Sequence, residues 1–150
     1  AFAYLNLISI YGDVPANWQP LEDMDPDDES TFYPKRTSRD VIYDRIVSDL
    51  QTAANYMPWF EESGFATTER LTKQSTLALL ARVALYAGGY SLRWNLETND
   101  PATLKVSRRS DEARVRELYQ IADKACSDRA WAELTGSGRR WNEWLSEFMV

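Results

Sequence analysis

Histidine is absent from this chain, and its absence removes most hydrolytic chemistry. Ser-His and Cys-His nucleophilic pairs need an imidazole to take the proton, and imidazole metal sites need its nitrogen, so neither can be assembled within these residues. Carboxylates remain. The run Glu22-Asp23-Met24-Asp25-Pro26-Asp27-Asp28-Glu29 places acids at 23, 25 and 27, like the opening of a calcium loop. An EF-hand also needs glycine at its sixth position and a bidentate glutamate at its twelfth, and those places hold Asp28 and Pro34. The run therefore reads as a solvated acidic loop and not as a metal site. Two carboxylates can hydrolyse glycosides when held about 5 to 10 Å apart with one pKa raised, and an exposed run favours neither condition. Gly88-Gly89 and Gly136-Ser137-Gly138 lack the spacing and the lysine of a phosphate loop. The expectation is a chain with no catalytic residue, no metal and no cofactor.

Recognition by aromatic surfaces is what the residue types leave. Six Trp and eight Tyr in 150 residues are more large amphipathic rings than a small helical core needs, and such rings stack on sugars or on partner surfaces. Trp18, Trp59 and Trp94 lie in or beside loops rather than on helix stripes. Of these, Trp18 and Trp94 are the candidate ligand-binding residues, with a plug over a helix end as the competing role. A formal charge of -6 without a polybasic run argues against nucleic acid or an anionic lipid surface as partner. The lone Cys126 cannot form an internal disulfide and is expected to be a small core residue. No run approaches the ~18 apolar residues of a membrane span. The chain opens without Met inside the apolar stretch Ala1-Phe2-Ala3-Tyr4-Leu5, which reads as the interior of a longer protein with its targeting signal upstream.

The elements that must position these rings are helices, because four segments carry the 3.6-residue apolar period and none of eight or more residues alternates cleanly. The first occupies about residues 1–11 and stops at Gly12 and Pro15. The second starts at a Ser38 cap with Asp40 in its first turn, carries the stripe Ile42, Ile46, Leu50, Ala53 and Met57, and ends at Pro58. The third runs from Thr72 to about Gly88, apolar nearly all round through Leu77, Leu79, Leu80, Val83 and Leu85, so it is expected to be central. Ala78, Ala81, Ala84 and Ala87 along it would let neighbours approach closely. The fourth begins near Ser110 and is expected to bury Val115, Leu118, Ala122, Ala125 and Cys126, with Glu112, Arg114, Arg116, Glu117 and Lys124 in water.

These helices repeat. Residues 3–12 align with 78–87 at an offset of 75, placing Tyr11 on Tyr86, and the second helix aligns with the fourth at an offset of 72. Two helix pairs with small residues at their crossings look like tetratricopeptide packing with long inserts, about residues 12–37 and 89–109, between paired helices. The expected organisation is a tetratricopeptide-like region over 1–129 and the start of a following segment over 130–150. In that last stretch Trp141, Trp144, Leu145 and Phe148 share one helical face, which needs a cover.

Read in order, several short stretches resemble the SusD/RagB family of outer-membrane nutrient-binding lipoproteins. Tyr11-Gly12-Asp13-Val14-Pro15 closes a helix, and Arg36-Thr37-Ser38 leads to Val41, Tyr43, Ile46, Asp49-Leu50, Ala53-Ala54 and Met57-Pro58. Gly64 and Arg70-Leu71-Thr72-Lys73 then precede Ala78-Leu79-Leu80-Ala81-Arg82-Val83-Ala84-Leu85-Tyr86. The series covers about residues 1–90, departs at Gln74-Ser75-Thr76 and carries the acidic run as a private insertion. The resemblance implies an all-α, tetratricopeptide-like protein at the cell outer membrane. It would be held by an upstream lipid anchor and seated over a SusC-like TonB-dependent transporter, binding oligosaccharide without hydrolysing it. It transfers no ligand residue to this stretch. The alternative function is a helical-repeat scaffold that docks partner proteins or peptides.

Overall fold

The computed structural model describes residues 1–23, 25, 30, 33–65, 70–98 and 100–127. Helices dominate: α1 (Phe2–Tyr11), α2 (Arg39–Tyr56), the single turn α3 (Phe60–Ser63), α4 (Lys73–Gly88) and α5 (Glu112–Ser127). Their ends follow local chemistry. Ser38 Oγ accepts the Asp40 backbone N–H at 3.3 Å and opens α2, satisfying one of the donors that a helix start leaves unpaired. Ser75 Oγ accepts the Thr72 N–H at 2.8 Å at the head of α4. Gly12 ends α1 at φ 73°, a left-handed value that favours glycine. A Cβ there would also collide with the Arg39 guanidinium.

α4 packs against both α2 and α5, and α1 rests on α2, so the helix that is apolar nearly all round is the central one, as expected. Ile42, Ile46, Val47, Leu50, Leu80, Val83 and Leu118 form the core with the buried Ala81, Ala84 and Ala87. Where α4 and α5 meet, the Tyr119 hydroxyl donates to the Gly88 carbonyl at 3.1 Å, and a Cβ on Gly88 would lie 2.9 Å from that ring. Burial follows the internal repeat at several pairs. Leu5 and Leu80 are buried, as are Ile8 and Val83, while Tyr11 and Tyr86 are both exposed.

Four side chains depart from expectation. Leu85 is 53% exposed and Ala78 also faces water, because α2 and α5 cover two sides of α4 and leave a third open. Cys126 is exposed, since the buried stripe of α5 runs through Val115, Leu118, Ala122 and Ala125 and Cys126 follows one residue later, off that stripe. Arg114 turns away from water to Asp44.

Each insert is clasped at its neck by a short antiparallel ladder. β1 (Val14–Pro15) pairs with β2 (Arg36–Thr37), and β3 (Ser91–Arg93) pairs with β4 (Lys105–Ser107). Strands of two or three residues are too short to show an alternating pattern, which is why periodicity gave no sign of them.

Candidate functional site

The N-terminal half of α2 anchors both inserts. Asp13, 7% exposed, accepts the Arg39 backbone N–H at 2.8 Å and its Nε at 3.2 Å, which ties the start of the first insert to the head of α2. The next residue, Asp40, pairs with Arg93, and Arg93 Nε also donates to the Ser107 carbonyl at 3.1 Å across the second ladder. Asp44, a turn further, accepts Arg109 Nη1 and Nη2 at 3.0 and 2.8 Å and Arg114 Nε at 3.0 Å. Burial by itself would raise the Asp44 carboxyl, but the hydrogen bonds from Arg109 and Arg114 outweigh it and hold the group below the usual carboxylate range. The bond to Asp44 raises Arg109 in turn. Tyr43 is pushed up by burial and stays a neutral phenol at physiological pH. Asp44 and Arg109 thus hold each other in their charged forms, an arrangement suited to fastening loops.

The candidate rings sit around this anchor. Trp18 is 39% exposed and lies against Tyr4 with centroids 4.9 Å apart and planes at 48°. The Arg45 guanidinium, from α2, stands 5.5 Å from the Trp18 ring, a cation–π distance. The Tyr4 hydroxyl donates to the Asn17 carbonyl at 2.9 Å and accepts the Asn17 N–H at 3.0 Å, fixing the chain next to Trp18. Trp94 is half-buried, with the Arg36 guanidinium 5.5 Å from its ring. Arg36 belongs to the first insert and Trp94 to the second. The two inserts, which nothing in the sequence connects, are thus joined by this contact, and each candidate ring faces an arginine from the 36–45 stretch.

The third loop tryptophan, Trp59, lines a groove of about 600 Å³ among α2, α4 and α5. Lys73 Nζ stands 5.5 Å from its ring. Ala54, Leu77, Leu80, Ile121 and Ala125 line the apolar part. Periodicity could not announce this groove, because its walls come from three helices far apart in the chain.

Among the described residues no group of three or more His, Cys, Asp or Glu could hold a metal ion, and no helix is long and apolar enough to cross a membrane. Most of the acidic run from Glu22 to Glu29, and the whole Trp141 to Phe148 stretch, lie outside the described residues.

Comparison with protein families matches residues 1–85, more than half of the chain, to a SusD-like family described as starch-binding associating with outer membrane. Neither a curated protein nor a solved structure matches.

Proposed function

Since the chain belongs to this SusD-like family, we propose that it serves as the glycan-binding component of an outer-membrane nutrient uptake system. In this reading it is a surface lipoprotein that captures oligosaccharide without cleaving it and hands it to a SusC-like TonB-dependent transporter. The family match over residues 1–85 carries the proposal. Helix pairs stacked as tetratricopeptide-like units over 1–129 would be its scaffold. The repeated exposure of Ile10 and Tyr11 on α1 and of Leu85 and Tyr86 on α4 supports a partner-facing role for that scaffold, since large apolar side chains recurring in water at matching repeat positions suit contact with another surface.

Trp18 and Trp94 are the proposed sugar-stacking positions within this stretch. A stacked ring contributes about 0.5 to 1.5 kcal/mol beyond burial, whereas millimolar affinity takes about 4 kcal/mol, so several rings must converge on one ligand. Calorimetric titration with starch oligosaccharides, on these 150 residues and on the longer protein in which they occur, tests the reading. The longer protein is expected to bind and to co-purify with its transporter, and the 150-residue chain to bind weakly or not at all. Absence of glycan binding by both would overturn it.

A further inference from the structure

Among the described residues three buried polar atoms, Asp40 Oδ1, Ser91 Oγ and Arg109 Nε, make no hydrogen bond to any other group of the chain. From their placement and chemistry we infer that the junction of α2 with the second ladder is a binding site for one water molecule, held by all three, which helps to fasten the second insert.

The three atoms belong to one small region. Asp40 gives its other oxygen to Arg93, Arg93 Nε donates to the Ser107 carbonyl, and Ser107 stands opposite Ser91 in the ladder. Side chains alternate along a strand, so Ser91 shares with Arg93 the side of β3 that meets α2, while Leu92 between them is 48% exposed. Arg109 follows two residues after the end of β4, and its side chain is only 9% exposed. Asp44, one helical turn beyond Asp40, takes both of its terminal nitrogens and leaves Nε for another acceptor. Arg109 also lies within electrostatic reach of Asp40, since it is raised first by its bond to Asp44 and then by the charges of Asp44 and Asp40.

Polar groups left unpaired out of water are costly, and the make-up of this set specifies what relieves them. Its ligand must accept from a guanidinium, which only donates, donate to a carboxylate, which only accepts, and take either role at a hydroxyl. A cation would meet the Arg109 N–H and an anion would meet the Asp40 carboxylate, so the site selects a neutral molecule able to do both. Arg93 spans the same gap directly, from Asp40 to Ser107, which limits the occupant to the smallest such molecule. Water fits, and three hydrogen bonds are its usual number in a protein interior. Because Trp94 directly follows Arg93, the hydrated junction helps to set where that ring stands. This last consequence rests on the binding role proposed for Trp94; the water site does not.

Two measurements test the site. In crystals of this chain, or of the longer protein in which it occurs, that diffract well enough to show ordered water, one water is expected within about 3.2 Å of all three atoms. Ser91→Ala, followed by amide exchange and mass spectrometry, removes a hydroxyl that touches no other group of the chain. If the water is bound, exchange across 91–107 should quicken by about fivefold, the usual worth of one hydrogen bond, while the core helices keep their protection. A dry junction in which Arg109 Nε or Ser91 Oγ bonds Asp40 directly would overturn the inference. So would an occupant with the short contacts of a metal ion, or a Ser91→Ala chain that exchanges at the unmodified rate or more slowly.

Discussion

Asp44 receives two arginines, Arg109 and Arg114, that lie 65 and 70 residues further along the chain, and neither partner could be read from local spacing. Its depressed pKa has a consequence with a definite sign. A carboxyl held lower in the folded than in the unfolded state adds stability above its unfolded value, near 3.9, and loses it as pH falls through the folded value. Asp44→Asn is therefore expected to destabilise the chain by about 1 to 3 kcal/mol at pH 7, a range that allows for the partial exposure of the pair. The gap from the unmodified chain should close as pH drops below about 4, and urea unfolding at pH 7, 5 and 3 measures it. Gly12 makes a second residue-scale case. Its positive φ and its closeness to Arg39 predict that Gly12→Ala costs about 2 kcal/mol by straining the turn and disturbing the Asp13–Arg39 pair. Trp18 and Trp94 stand out in the sequence as loop tryptophans off the helical stripes, and their sugar-stacking role is the one proposed above. Their cation partners, Arg45 and Arg36, were not legible there, since these contacts are made across elements.

At the scale of elements, the helix limits were legible because caps and breakers are local. Ser38, Gly12 and Pro58 act on the backbone within a turn of themselves. The ladders were not, because pairing Leu92 with Val106 depends on where the intervening insert returns. Arg93 bridges that ladder through the Ser107 carbonyl and ties it to α2 through Asp40. Arg93→Ala should accordingly speed amide exchange across 91–107 by at least tenfold while the core helices stay protected, as expected when one fastening of a locally stable unit is cut. In the core, Leu118 is fully buried at the contact of α5 with α4. Leu118→Ala is expected to lower global stability by about 3 kcal/mol through the cavity it leaves, read as an earlier midpoint in chemical denaturation.

For the whole molecule, the expected chemistry is capture without turnover. Incubation with a panel of glycans should leave reducing ends unchanged, and metal-independent release of new ends that is lost on mutating a carboxylate between Glu22 and Glu29 would refute the non-catalytic reading. Far-ultraviolet circular dichroism should show a helical spectrum, in keeping with the dominance of α1, α2, α4 and α5. The all-α class, the central place of α4, the stripe Ile42-Ile46-Leu50 and the family resemblance were determined by the sequence alone. Each rests on local periodicity, on caps, or on an ordered series of short motifs. Only the tertiary structure decided that α2 fastens both inserts through Asp13–Arg39, Asp40–Arg93 and Asp44–Arg109. It also decided that Cys126 faces water and that three separated helices leave a groove beside Trp59. The physical reason is common to all of these. A helix stripe says which side of an element avoids water, whereas ion pairs, exposure at a stripe's edge and concave surfaces depend on which other element arrives there, and that is fixed only when the helices pack.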